Sequence, residues 1–205
     1  MKSTNWFVYD GWVSETHPTK RRLLDAATAE FAAHGIAGAR VDRISAAAGV
    51  NKAQMYAYYG SKDGLFDAVF QDNNEAILDR VPFTADDLPG YAARLYDAYV
   101  EDPTPVRLAT WNRLERSPAG DLLAGAEGHT RWKYGAIADR QTAGELDPVI
   151  RPRDVYSLVI ALSLTWGPSS VTYAASRADS DADHAYRRAV LTKIVARAFA
   201  YPDQP

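Results

Sequence analysis

The chain has 205 residues, of which 47% are hydrophobic and 24% charged, with a formal net charge of −3. This composition predicts a globular protein with a full core and argues against an intrinsically disordered chain. The absence of cysteine excludes disulfides and cysteine-ligated metals and fits a reducing cytoplasm. No apolar run reaches the ~20 residues of a membrane span and no signal peptide is recognisable, so we expect no membrane partner.

Residues 1–17 lack helical periodicity but are rich in aromatic side chains. Either this extension docks on the body, or the natural start of the chain lies further along. The first helix is predicted to begin near Pro18, because proline suits the first turn of a helix. Its buried stripe contains Leu23, Leu24, Ala27 and Phe31, and Gly35 is predicted to end it.

Residues 41–62 are predicted to form two short helices joined by a tight turn. Gly49 follows the first helix, where glycine adopts the left-handed conformation without steric cost. Asn51 and Gln54 have the spacing of a capping box at the start of the second helix. This pattern predicts a helix-turn-helix, whose second helix enters the DNA major groove. Its inward side chains would be Val50, Met55 and Tyr59, and the outward ones Lys52, Ala53, Gln54, Tyr56 and Tyr58.

A longer helix is predicted over residues 61–80, and prolines then divide the remaining chain into segments. The expected helices lie near 85–101, 105–116, 119–143, 153–176 and 181–200. A kink or break is expected at Gly167, because Pro168 disfavours helical geometry at the residue before it. No segment shows strand alternation. The predicted fold class is therefore all-α.

Charge is unevenly distributed along the chain. Residues 18–62 contain seven basic and three acidic side chains, a net charge of +4, so the remainder carries −7. A basic head on an acidic body favours a phosphate-rich partner.

The two C-terminal helices have more apolar surface than one core needs. The apolar side chains of the last helix cover an arc of about 220°, whereas a helix packed on one core needs little more than ~100°. This excess predicts a subunit interface, with central core helices of a monomer as the alternative. The predicted interface residues are Val155, Leu158, Leu162, Tyr186, Val190 and Ile194.

The segment MYAYYGSKDGLFDAVF, together with LLDAATAEFAAHGIAGARVDRIS before it, resembles the TetR family of bacterial transcriptional regulators over residues 19–70. The resemblance implies an N-terminal three-helix DNA-binding domain at 18–62, after the extension at 1–17. It also implies a helical ligand-binding and dimerisation domain at 63–205. The expected protein is a homodimeric regulator, most simply a repressor, that leaves a pseudo-palindromic double-stranded operator when a small-molecule effector binds.

The same resemblance suggests individual DNA contacts. Lys52, Ala53 and Gln54 correspond to base readers, and Tyr56, Tyr58 and Lys62 to phosphate contacts. The chain departs from the family pattern at Val41, where Thr or Ser is common, and at Asp42, where the tetracycline repressor has a base-contacting arginine. An Asp can accept from a cytosine amino group but repels phosphate. Arg40 or Arg43 is then expected to take over the backbone contact. Lys20, Arg21 and Arg22 oppose the dipole at the start of the first helix, which favours a phosphate partner there as well.

Aromatic and polar side chains of the body are candidates for effector binding. They are Tyr96, Trp111, Thr130, Tyr134 and Trp166, with Gln141 prolonging the stripe of Thr130. The alternative is an ordinary aromatic core with satisfied hydroxyl groups.

No cofactor, metal site or catalytic group is expected. The four histidines are scattered, and only Glu115 and Glu127 suggest an acid/base pair. Besides the effector-responsive regulator, two hypotheses stay open: a DNA-binding protein of the same fold with no inducer, and an all-helical enzyme.

Overall fold

The computed structural model describes residues 18–116 and 127–201, except for the side chains of residues 75, 78, 79 and 127–129. These described ranges contain nine helices and no strand, which confirms the all-α prediction. The expectations for residues 1–17 and 119–126 lie outside them. The helices are α1 (Pro18–Gly38), α2 (Val41–Ala48), α3 (Lys52–Tyr59), α4 (Lys62–Arg80), α5 (Leu88–Glu101), α6 (Thr104–Arg116), α7 (Glu127–Thr142), α8 (Pro152–Ser163) and α9 (Asp181–Phe199).

Helix α1 is interrupted at Gly35, close to where its end was predicted. Gly35 has φ 71° and ψ −176°, a conformation that is essentially restricted to glycine. A Cβ atom there would lie 2.3 Å from Glu115 Oε1 and 3.0 Å from the Trp111 ring. The glycine therefore permits both a sharp change of direction and the close approach of α6.

The helix-turn-helix forms as its sequence predicts. Gly49 ends α2 in the left-handed conformation, with φ 66° and ψ 38°. The Asn51 side chain accepts from the Gln54 amide at 2.8 Å, and the Gln54 side chain accepts from the Asn51 amide at 3.2 Å. Met55 is fully buried under α3, with Val50 and Tyr59 partly buried beside it, as predicted.

The first hydrophobic core joins α1, α2 and α3 to the beginning of α4. Ser61 caps α4 through the Gly64 amide, and the helix then buries four apolar side chains in this core: Leu65, Phe66, Val69 and Phe70. Phe66 contacts Phe31 edge-to-face, with ring centroids 5.2 Å apart. Leu108 of α6 also lies in this core, so a helix of the body contributes to the core of the head.

The second hydrophobic core is formed mainly by α5, α8 and α9, with Ile137 from α7. Val155 is 1% exposed within it. Its assignment to a subunit interface is therefore corrected: this face of α8 points into its own protomer. Leu191, Val195 and Phe199 occupy the same core from α9.

Helix α8 is shorter than predicted. It ends at Ser163 instead of near 176, and the Leu164 amide closes its last turn. The Gly167 amide then donates to the Leu164 carbonyl at 2.8 Å, and residues 164–180 continue as turns and irregular chain until Ser180 caps α9. A break near Pro168 is confirmed, but it comes earlier and the helix does not resume.

Candidate nucleic-acid interface and body sites

The outer face of α3 carries the five side chains that the sequence predicts to project outward. Lys52, Ala53 and Gln54 are exposed, and the large aromatic residues Tyr56 and Tyr58 are 47% and 42% exposed. These five side chains share one short helix whose opposite side is anchored by Met55. The helix therefore presents hydrogen-bonding groups and aromatic rings on a fixed support.

Gln54 has two tasks on this face. Its carbonyl oxygen accepts from the Asn51 backbone amide, which completes the cap of α3. Its amide NH₂ is not used by that bond, so it remains available to donate to a base edge. The predicted base reader is thus held in position by the helix start itself.

Lys52 of α3 forms an ion pair with Asp42 of α2. The two side chains are 58% and 68% exposed, so the pair adds little stability. The ion pair instead affects the position and charge of Lys52. Asp42 holds the Lys52 ammonium group toward α2 and partly neutralises its charge. Asp42 therefore has a partner inside the protein, Lys52, beside its predicted contact with DNA.

Several predicted phosphate contacts also have internal partners. Arg21 donates to Asp72 of α4 at 2.7 Å and to Asp25 at 2.6 Å. Arg43 donates to Glu30, and Arg22 donates to the Ala48 carbonyl at 3.2 Å. Burial opposes ionisation of Glu30, but hydrogen bonds from Arg43 and the Arg40 amide outweigh it and lower its pKa. Each of these three arginines therefore joins two helices of the head, beside its predicted contact with phosphate.

Lys62 has a structural role beside its predicted phosphate contact. Its ammonium donates to the carbonyls of Ala37 and Ala39, each at 3.3 Å, where α1 ends. Lys20 lies at the opposite end of α1, with its ammonium 5.8 Å from the Tyr59 ring centroid. Lys20 contacts Tyr59, the last residue of α3, and Lys62 follows three residues after it, so both lysines lie near the C-terminal end of this helix.

Helix α6 holds the head against the body through polar contacts that the sequence did not reveal. Arg107 donates to the Ala32 carbonyl at 2.8 Å, and Glu115 accepts from the Ala37 amide at 2.6 Å. Arg116 pairs with Asp63 and Asp67 of α4 and lies 4.7 Å from the Phe66 ring centroid. Glu115 is thus a structural acceptor, while the side chain of its proposed acid/base partner Glu127 is outside the described residues.

Two of the predicted effector contacts belong to a closed polar cluster. Tyr96 is 1% exposed, with its hydroxyl 2.7 Å from His184 Nδ1 and 3.3 Å from Arg187 Nη1. Arg187 also pairs with Asp179 at 2.7 Å, and Trp166 packs edge-on against Tyr96. These contacts satisfy the tyrosine hydroxyl inside the protein, which matches the alternative of an ordinary aromatic core.

Within the described ranges, the contacts of the five predicted effector residues divide them into separate groups. Trp111 lines an open cleft of about 160 Å³ with Leu114 and Pro168, away from Tyr96. Thr130 and Tyr134 lie on α7, where Tyr134 contacts Tyr156 edge-to-face at 5.9 Å. Gln141, which prolongs the predicted stripe of Thr130, is engaged inside the protein instead. Its side-chain amide donates to the carbonyls of Asp147 and Ile150 and so holds the loop after α7.

Lys133 on the inner side of α7 was missed by the sequence reasoning. It is 3% exposed and lies among the rings of Phe83, Trp132 and Tyr156. Burial lowers the pKa of its ammonium group to about 8. The spacing to Ile137 indicates the burial of Lys133, because residues four apart lie on one face of a helix and Ile137 is buried.

Two family models match the chain on either side of the α4–α5 connection. Residues 23–69 match the model described as bacterial regulatory proteins of the tetR family, and residues 87–197 match the tetracyclin repressor-like C-terminal domain. The chain belongs to the TetR family. It is a transcriptional regulator with an N-terminal helix-turn-helix, as the sequence resemblance implied.

Individual TetR-family relatives agree with this assignment. The HTH-type transcriptional repressor SCO4008 of Streptomyces coelicolor is 40% identical over 147 residues, which are 71% of this chain and 76% of that protein. The structure of the putative transcriptional regulator SCO4942 from the same organism superposes with a TM-score of 0.71 and 34% identity, covering 90% of this chain and 99% of that one.

A more distant relative shares the fold alone. The structure of FadR from Bacillus subtilis in complex with stearoyl-CoA has a TM-score of 0.60 at 17% identity, covering 86% of this chain and 97% of that one. In this TetR-family chain, the described side chains contain no cluster of three or more potential metal ligands. Within the same ranges no helix is long and apolar enough to cross a membrane.

Proposed function

We propose that this regulator is a homodimeric repressor that binds a pseudo-palindromic operator and leaves it when a small molecule binds the body. The observation that carries the DNA-binding part is the exposed, capped α3 with Lys52, Gln54, Tyr56 and Tyr58 on its outer face. Lys and Gln present the donors that read guanine and adenine in the major groove. Repression as the direction of control is supported by the description of SCO4008 as a repressor.

The exposed apolar face of α8 and α9 supports the homodimer. Leu158, Tyr186 and Ile194 are 46%, 70% and 45% exposed, and Leu162 and Val190 are half-buried beside them. A two-fold axis through this face would present two copies of α3 to successive major grooves, about 34–36 Å apart. The operator is then expected to contain two inverted half-sites.

Helices α4 and α6 are the elements through which an effector would act on the head. Phe66 and Phe70 of α4 and Leu108 of α6 lie in the core of the head, and Ile77 further along α4 packs against the second core. A ligand that binds one arrangement of these helices better than the other changes operator affinity by that difference, typically ~1–3 kcal/mol.

A regulator of the same fold without an inducer is the second candidate. The observation in its favour is the complete satisfaction of Tyr96 by His184 and Arg187, which leaves no ligand site at that point of the body. A compound screen scored both by thermal stabilisation and by operator release separates the two. Compounds that release DNA support induction, whereas compounds that stabilise the protein and leave DNA binding unchanged support the second candidate.

Selection of bound fragments from a random DNA pool tests the DNA-binding function. We expect the wild-type protein to enrich a sequence with two inverted half-sites. Tyr56→Phe should lower affinity for all sequences about equally, because a phosphate contact carries no base information. Enrichment of no sequence, or of an asymmetric site by a monomer, would overturn the proposal.

A further inference from the structure

The ammonium group of Lys133 is buried without a counter-ion among the side chains that the structure describes. Lys133 is 3% exposed, and its Nζ donates to the Tyr156 hydroxyl at 3.1 Å. None of the described carboxylates lies within ion-pair distance of it, and burial is the cause of its lowered pKa. A buried charge normally requires a paired opposite charge, so this arrangement is incomplete on its own.

Aromatic rings supply the remaining surroundings of this ammonium group. Nζ lies 5.0 Å from the ring centroid of Tyr156, 5.7 Å from that of Phe83 and 6.0 Å from that of Trp132. The negative faces of such rings attract a cation but compensate only part of its lost hydration. They also leave its hydrogen-bonding capacity unused, because an ammonium group has three donors and Tyr156 accepts from one.

The rings themselves form a continuous cluster around Phe83. Its centroid lies 5.1 Å from Tyr91, 5.5 Å from Trp132 and 5.7 Å from Tyr156, and Tyr134 extends the cluster on the far side of Tyr156. Trp132 is 52% exposed, so the cluster reaches the surface of the body at that ring. An apolar ligand entering beside Trp132 would meet the ammonium group of Lys133 at the inner end.

We propose that Lys133 and the rings of Phe83, Trp132, Tyr134 and Tyr156 form the effector site, and that the effector is an organic carboxylate with an aromatic or apolar body. This inference rests on the proposed effector-responsive function. The carboxylate oxygens would accept the two free donors of Lys133, since charge-assisted hydrogen bonds of this kind are strong. The body of the ligand would stack edge-on or offset against the rings.

Direct binding measurements with a matched pair of probes test this site without DNA. We expect 2-naphthoate to bind the full-length protein at least about tenfold more tightly than neutral 2-naphthamide, measured by calorimetry, a ratio within reach of one charge-assisted contact. Lys133→Met should reduce this preference to near unity while still binding the amide. Lys193→Met removes an exposed lysine of the same body and should leave the preference unchanged.

A second measurement uses the wild-type protein, so it tests the site even if Lys133→Met does not fold. In the wild-type protein the acid-over-amide preference should fall as the pH rises from 7 to 9, because Lys133 loses its charge near pH 8. Trp132→Phe should lose most of the fluorescence change on binding, because this indole lines the proposed site. Equal binding of both probes, no saturable binding of 2-naphthoate, or a preference retained in Lys133→Met would each overturn the site. Binding as expected without operator release would preserve the site and contradict induction by that compound.

Discussion

The carboxylate of Glu115 accepts a hydrogen bond from the backbone amide of Ala37 across 2.6 Å. This contact joins α6 of the body to the chain just beyond the interruption of α1 at Gly35. Because the other oxygen of Glu115 lies 2.3 Å from the position of a Cβ on Gly35, the hydrogen bond and the glycine depend on each other. This contact therefore contributes to the orientation of the head on the body, and it requires a residue without a side chain at position 35.

Gly35→Ala should therefore destabilise the protein. The left-handed φ of 71° and the contact with Glu115 and Trp111 both oppose a methyl group, and we expect a loss of at least about 2 kcal/mol in the free energy of unfolding. Gly135→Ala is the matched control, because Gly135 lies within α7 with open space around its Cβ. It should stabilise by about 0.5–1 kcal/mol. Urea denaturation measures both, and equal effects would contradict this account.

Gln54→Ala should relax the sequence preference at one base pair of each half-site. A lost bidentate contact to adenine corresponds to ~1–3 kcal/mol of discrimination. The same change removes half of the cap on α3, which lowers stability by about 1 kcal/mol. Asn51→Ala is the control, since it breaks the cap but leaves the amide of Gln54 in place. If both variants change the preference alike in a binding-site selection, the effect comes from the cap and the base-reading role is wrong.

Asp42→Asn should strengthen binding to all DNA sequences. It releases Lys52 from its ion pair and removes a negative charge from the predicted DNA-facing surface. The slope of log affinity against log salt concentration should become steeper by up to about one, because the DNA-facing surface gains one unit of net positive charge. Fluorescence anisotropy at several salt concentrations measures this. Asp139→Asn, an exposed position on α7, should change nothing, and an unchanged slope for Asp42→Asn would contradict the prediction.

Ile194→Glu should produce monomers that bind the operator weakly. Ile194 is 45% exposed on the apolar face of α9, and a carboxylate buried there on association would lack a partner. Ala196→Glu introduces the same charge two residues further on, on another side of the helix, and should leave the dimer intact. Light scattering at micromolar concentration gives the mass of each variant. A wild-type monomer under these conditions would refute the interface.

Stability should rise with pH between about 8 and 10 because of Lys133. Burial lowers the pKa of this lysine to about 8 in the folded protein, whereas an unfolded lysine titrates near 10.5. In this window the unfolded chain binds more protons, so raising the pH favours the folded state, by on the order of 1–3 kcal/mol. Burial raises the pKa of the neighbouring Tyr91, which therefore stays protonated in the folded state. Unfolding experiments across this range should show the rise in wild type and its loss in Lys133→Met.

The amino-acid sequence determined the local architecture of the head. The conformations of Gly35 and Gly49 and the capping box at Asn51 and Gln54 follow from interactions within a few residues, and helical periodicity predicted which side of α3 carries Met55. Such short-range rules also located most helices between prolines and the basic character of the head. The family assignment was predictable for the same reason, since its most specific residues are contiguous in the chain.

Only the tertiary structure decided which buried faces meet which partners. Helical periodicity identified α8 as apolar nearly all round, but packing placed Val155 in the protomer core and left Leu158 on the surface. It likewise enclosed Tyr96 with Arg187 and surrounded Lys133 with Phe83 and Tyr156. Periodicity specifies the side of a helix that avoids water, whereas the side chain it contacts depends on the arrangement of elements far apart in the chain.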